Sequence, residues 1–291
     1  MPLKSDIHIN VAKFEPCNAS AGTAKANEDL INLLRDGPKW FEMGASKYRK
    51  MRDAGETPIP KPELLPDGLD IEIPSRDSDR VIPCRLIHPS WRKTTEERKK
   101  TRAIGYLIHG GGWVLGNQHS ADVLLQFYAD SGDLAIVSVG YRLAPECPFP
   151  CGPNDCIDVG EYLVKHGKEV FGSSLKFIGG ESAGAHLSLL VAFHLLKYLP
   201  DFKLSGLILH CDLEKFRGRL PSALFTCGTE DPLLDDSVTM ATKWMMMGGE
   251  AVLKIYTGAP QAFIDMKDKL KEAMDAQEDT KTWIKDCMVK L

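Results

Sequence analysis

The sequence of 291 residues is about twice the length of a typical domain, although one α/β sheet can take up the whole of it. Its 36 basic and 40 acidic side chains give a net charge of -4, so no positive field is available to hold nucleic acid or an anionic membrane. No apolar run reaches the roughly 18 residues that span a bilayer, since the best stretch, from Leu187 to Leu199, is broken by His194 and Lys197.

The opening MPLKSDIHINVAKFE mixes charges with single apolar residues and lacks the apolar centre of a secretory signal, which makes a cytoplasmic chain the expectation. Eight cysteines (Cys17, Cys84, Cys147, Cys151, Cys156, Cys211, Cys227 and Cys287) are spread too widely for a small disulfide scaffold and read as reduced thiols. Cys147, Cys151 and Cys156 lack the C-x2-C spacing of a zinc pair and a fourth soft ligand beside them, so neither metal nor cofactor is expected.

In chain order, apolar residues recur at helical spacing from Ala24 to Leu34 and from Pro38 to Ala54, predicting two N-terminal helices. Pro58, Pro60, Pro62 and Pro66 then stiffen an extended connection. Residues 1–66 are thus expected to form a helical appendage with its linker, ahead of a main domain over 67–291. LDIEIP (Leu69 to Pro74) and VIPCRLIH (Val81 to His88) alternate in polarity across the polar turn SRDSD and read as an edge hairpin. The charged stretch from Arg92 to Arg102 reads as a solvated loop.

Short apolar runs separated by helical segments follow: Ala103 to Ile108, Leu134 to Val139, Leu175 to Gly180, Ser205 to His210, Ser222 to Cys227 and Val252 to Tyr256. Nearly continuous apolar strands alternating with helices imply a mostly parallel sheet covered on both faces, eight-stranded once the hairpin is counted. The fold class is α/β.

Gly180-Glu181-Ser182-Ala183-Gly184 reads G-x-S-x-G between a buried strand and a helical run. Such a stretch can be a plain glycine-rich turn. At the carboxyl end of a sheet it can equally be a tight elbow that projects the serine hydroxyl over a helix N-terminus. His109-Gly110-Gly111-Gly112-Trp113 follows the strand AIGYLI directly, and its glycines leave backbone N–H groups free to face a developing oxyanion together with that of Ala183. An ester or amide carbonyl suits that arrangement.

HGGGWVLG, YRLAPECPFP, GESAGAH and GTEDPLLDDS, in this order, resemble the hormone-sensitive-lipase-like branch of the α/β-hydrolases, carboxylesterases with an HGGG oxyanion loop. The resemblance runs from about Leu69 to the C-terminus, and the N-terminal helices resemble part of that family's cap. It implies Ser182 as nucleophile, Gly111, Gly112 and Ala183 as oxyanion donors, and Asp231 as the triad acid. Asp231 also follows the strand SALFTC, where a loop would carry it towards the serine. Asp235 and Asp236 compete with it, but fit better as early residues of the next helix, where acids complement the dipole.

Two departures qualify the resemblance. The family carries its catalytic histidine in a segment like GAPHAF, whereas this chain reads Gly258-Ala259-Pro260-Gln261-Ala262-Phe263, with Gln261 in the place of the base. An amide cannot take the serine proton at neutral pH. All eight histidines lie at or before His210, and His119, His186 and His194 have ordinary packing or surface roles as their simplest reading. Secondly, Cys211 to Pro221 is shorter than the dozen or more residues a parallel helical crossover generally needs, so a second cap segment looks deleted there and the connection is expected to be irregular.

The expected function is a carboxylic-ester hydrolase acting on a small-molecule ester with a short-chain or aromatic acyl group, more narrowly a fungal-type acetate esterase of polyketide metabolism. The other reading is a catalytically impaired small-molecule binding protein on the same fold. A homodimer is compatible with either.

Overall fold

Side chains along a strand alternate between two faces, so a run that is apolar throughout needs cover on both. The computed structural model, which describes residues 16–208, 220–246 and 249–289, supplies that cover. Its strands are β1 (Leu69–Pro74), β2 (Val81–Ile87), β3 (Ala103–Ile108), β4 (Leu134–Val139), β5 (Leu175–Gly180), β6 (Gly206–Ile208), β7 (Ser222–Glu230) and β8 (Ala251–Pro260). They form one sheet in the order β1-β2-β4-β3-β5-β6-β7-β8. The β1–β2 and β2–β4 pairs are antiparallel and all the others parallel.

The helices are α1 (Ala21–Asp36), α2 (Trp40–Met43), α3 (Ala45–Ala54), α4 (Thr95–Arg98), α5 (Asp122–Gly132), α6 (Cys151–Phe171), α7 (Ala183–Tyr198), α8 (Leu234–Met246) and α9 (Lys271–Val289). The central strand β4 shows why its sequence is apolar at every position but Ser138. Ala135, Val137 and Val139 join the core beneath α6, α7 and α8, while Leu134 and Ile136 join the core beneath α5 and α9. Outside the sheet, α1 is pinned by Asn27, which donates to the Gly258 carbonyl, and by Thr23, which donates to Glu272.

The expected strands are all present, β1, β3, β4 and β5 with the expected ends and β2, β6, β7 and β8 with shifted ones. The run from Ser205 to His210 contributes Gly206–Ile208, and its last two residues lie outside the described range. Two expectations change. The helix foreseen from Pro38 to Ala54 is interrupted at Gly44 (φ 90°, ψ 140°), a conformation that closes α2, through a 2.9 Å bond from its N–H to the Trp40 carbonyl, and opens α3. The stretch from Arg92 to Arg102 is more than a solvated loop. Thr94 and Glu97 form a reciprocal capping box around α4, and the Arg92 fork grips Asp133 at 2.6 Å. Of the short connection Cys211 to Pro221, residues 211–219 lie outside the described range, as does the expectation made for them. The seven described cysteines are free thiols.

Candidate active site

The serine sits where β5 gives way to α7. Ser182 has φ 49° and ψ -120°, a costly conformation for a residue with a side chain, and it is exposed. Short backbone bonds fix it: Gly184 N–H to the Glu181 carbonyl at 2.7 Å and Ala185 N–H to the Ser182 carbonyl at 3.0 Å. The second glycine of the motif is a packing requirement, because a Cβ on Gly184 would fall 1.9 Å from the Ile108 carbonyl oxygen at the end of β3.

That close approach brings the glycine loop to the elbow. A Cβ at Gly110 would lie 3.5 Å from the Ser182 Cβ. Gly111, Gly112 and Trp113 all have positive φ (113°, 61° and 62°), and the turn closes with Leu115 N–H on the Gly111 carbonyl at 2.8 Å. Among the described residues, no backbone carbonyl accepts from the N–H of Gly111, Gly112 or Ala183. Of the residues foreseen as oxyanion donors, Ala183 directly follows Ser182 and Gly111 and Gly112 directly follow the Gly110 that rests on the elbow, all three with no backbone carbonyl on their N–H groups among the described residues.

His109 anchors the loop. Its ring stacks on Tyr141 with centroids 4.2 Å apart, Nδ1–H donates to the Gly110 carbonyl at 2.8 Å, and Tyr141 donates to the His109 carbonyl at 3.0 Å. Burial lowers the imidazole to about 4, so it stays neutral. His109 is thus a structural residue of the loop.

The other side of the site is built by the carboxyl ends of β7 and β8, where Glu230 pairs with Pro260 and sets Asp231 and Gln261 side by side in the chain register. Gln261 reaches the nucleophile, its Nε2–H donating to Ser182 Oγ at 3.4 Å, near the limit of a hydrogen bond. Asp231 turns the other way, its Oδ1 accepting the Leu233 N–H at 2.8 Å ahead of α8. Among the described residues no hydrogen bond joins Asp231 to Gln261. Asp235 and Asp236 occupy the first turn of α8.

The histidines considered as substitutes have other engagements. His119 bonds Asp70 at 2.6 Å and His194 bonds Glu161 at 2.7 Å. His186 is exposed one turn into α7 and meets Trp113 edge-on, with ring centroids 5.6 Å apart. Among the described residues none is hydrogen-bonded to Ser182.

One pair in the site had no counterpart in the sequence reading. Glu181, next to the nucleophile, and Asp265, in the 3-10 turn Phe263–Asp265 beyond Gln261, are carboxyls close enough to act on each other electrostatically. Desolvation, reinforced by the neighbouring Asp265 charge, pushes Glu181 well above the carboxylate range. The buried Tyr128 phenol faces the same pair. Glu181 lies inside the G-x-S-x-G motif, but its partner is 84 residues away and carries no local signature. A cavity of about 330 Å3 opens near this side, between Asn27 and Ile31 of α1 and Thr229, Glu230 and Gly258. It does not reach Ser182.

A model of the alpha/beta hydrolase fold family matches residues 106–217, which hold both the glycine loop and the elbow. The chain is 27% identical over 217 residues to hormone-sensitive lipase of Mus musculus, covering 67% of this chain and 28% of that protein. The chain thus has the alpha/beta hydrolase fold and is similar to hormone-sensitive lipase. A further relative, carboxylic ester hydrolase LipN of Mycobacterium tuberculosis, is 32% identical over 135 residues, 46% of this chain and 34% of that one. The matching part of the chain thus spans about a third of the length of these curated relatives. The hyperthermophilic esterase of Pyrobaculum calidifontis superimposes with a TM-score of 0.73 at 20% identity, covering 92% of this chain and 98% of that one, a likeness of fold.

Proposed function

We propose that this chain is a carboxylic ester hydrolase that passes through an acyl-serine at Ser182, that it takes small esters with short-chain or aromatic acyl groups, and that Gln261 makes it slow. The observation that carries the reading is the strained, exposed Ser182 against Gly110 of the glycine loop, whose next two N–H groups, on Gly111 and Gly112, are uncommitted like that of Ala183. Ser182 Oγ attacks the acyl carbonyl carbon, and the three N–H groups stabilise the oxyanion that forms. Collapse breaks the bond to the alcohol, which leaves with the serine proton. Water then attacks the acyl carbon, breaks its bond to Oγ, releases the acid and returns a proton to the serine. Each step moves a proton, and the Gln261 amide donates to Oγ without being able to accept from it. Water must carry the proton in place of an imidazole. This chemistry calls on no cofactor.

The same donation from Gln261 favours a second reading, a binding protein whose ligand carbonyl rests in the oxyanion loop. A fluorophosphonate probe separates the two, because it reports nucleophilicity at the serine without demanding turnover. Covalent labelling of the parent, lost in Ser182→Ala, is the outcome expected of the esterase. Absence of labelling in a folded protein that still binds ester ligands would make it the binding protein.

A further inference from the structure

Three consecutive residues with positive φ, one of them Trp113, do not hold such a backbone by local preference; surrounding contacts must impose it. On the elbow side the contact is Gly110 against Glu181 and Ser182. On the opposite side the Trp113 carbonyl accepts the Ala144 N–H at 2.9 Å, which leaves the Val114 and Ala144 carbonyls as the outer edge of the assembly. A single side chain from the N-terminal helices closes that edge. Arg49 of α3 donates through Nε to the Val114 carbonyl at 2.7 Å and through Nη2 to the Ala144 carbonyl at 2.6 Å. The same guanidinium faces Glu146, with N···O distances of 3.0–3.1 Å.

We infer that Arg49 is a positioning residue of the oxyanion loop, through which helix α3 holds the Gly111 and Gly112 N–H groups against Ser182. The inference rests on the esterase reading for its catalytic meaning and on the hydrogen bonds for its geometry. A planar guanidinium presents donors in fixed directions, so one side chain can tie two carbonyls from segments 30 residues apart into one rigid unit. Charge-assisted donation to carbonyls is stronger than a neutral bond. Glu146 balances the charge: the Arg49 guanidinium holds its carboxyl below the usual range, and the pair presents little net field to the oxyanion. Arg49 therefore acts through where the loop sits. The appendage is in this way part of the site, although α3 places no group on the substrate.

The test compares the second-order rate of fluorophosphonate labelling at Ser182, and hydrogen exchange in peptides covering residues 109–116, for the parent, Arg49→Met, Arg49→Lys, Glu146→Gln and Arg35→Met. Arg35 is an exposed arginine of α1 paired with Asp36 and controls for loss of a surface charge. Since a displacement of about 1 Å can cost about a hundredfold in rate, Arg49→Met should slow labelling on the order of ten- to a hundredfold and speed exchange in the loop, at nearly unchanged Tm. Arg49→Lys, which can still reach one carbonyl, should recover part of both. Glu146→Gln and Arg35→Met should stay within about threefold of the parent. Arg49→Met or, should it not fold, Arg49→Lys with parental labelling and parental loop exchange overturns the inference and leaves the esterase reading intact. A parent that does not label overturns the esterase reading, and loop exchange alone then decides whether Arg49 holds the loop.

Discussion

On the serine side of the site, backbone packs on backbone: Gly184 leaves no room for a methyl group against the Ile108 carbonyl, and Gly110 rests on Glu181 and Ser182. On the base side, the ends of β7 and β8 carry side chains with long or diverted contacts, Gln261 at 3.4 Å from Ser182 Oγ and Asp231 turned onto the Leu233 N–H. The difference is instructive about what a motif guarantees. Folding itself requires the glycines of G-x-S-x-G, since the crossing of β3 and α7 depends on them whether or not chemistry follows. Nothing in the packing requires an imidazole at position 261. A sequence can therefore keep the serine half of such a site and lose the base half at little cost to the fold.

That contrast can be broken most strongly at Asp231. With Gln261 in place there is no imidazole to orient, so Asp231→Asn in the parent should alter p-nitrophenyl acetate turnover by less than about threefold. In a Gln261→His background the same change should cost on the order of 10⁴, because the carboxylate then fixes the tautomer of the base. Equal effects in the two backgrounds would deny that Asp231 and position 261 act together.

On the serine side, Gly111→Ala places a side chain at φ 113° with its Cβ 2.3 Å from the Leu115 carbonyl oxygen. Fluorophosphonate labelling should fall by about 10² to 10³, the usual cost of an oxyanion donor, while circular dichroism stays native. The stability counterpart is a pair of denaturation curves. Gly184→Ala should lose at least about 2 kcal/mol to overpacking, whereas Gln261→Ala should stay within about 0.5 kcal/mol of the parent. Comparable losses would mean that the two sides are equally built into the fold.

The smallest effect concerns the carboxyl pair that joins the two sides. Glu181 is raised in the native state, by desolvation first, so the native protein keeps a proton that the unfolded chain releases at ordinary carboxylate values. The contribution is therefore complete below the ordinary Glu range and lost as the pH rises through the native value. Glu181→Gln keeps a hydrogen-bond donor for Asp265 and nothing to titrate. Its Tm should decline less than the parent's between about pH 5 and about pH 8. Parallel curves would show that Glu181 is not raised in the native state.

How far the sequence anticipated these results depends on the range of the contacts. The strands were readable because a doubly covered sheet demands apolar residues on both faces, as at five of the six positions of β4, and the elbow because its glycines are neighbours in the chain. The split at Gly44 was missed because the apolar spacing continues across a glycine whose conformation shows only in three dimensions. The capping box of Thr94 and Glu97 was present in the letters, but lay hidden in a run of charges. Arg49 with its carbonyls at Val114 and Ala144, and Glu181 with Asp265, join positions 65 to 95 residues apart, where side-chain identity alone gives no sign of a partner.

The central claim is that the serine half of the site is competent and only the base is missing. Its most direct test is the turnover of p-nitrophenyl acetate by Gln261→His, alongside the double variant Gln261→His with Ser182→Ala. Restoring a general base should raise the rate by about 10² to 10⁴ over the parent, with the gain abolished in the double variant. A folded Gln261→His protein no faster than the parent, or one whose gain survives loss of Ser182, would contradict the claim.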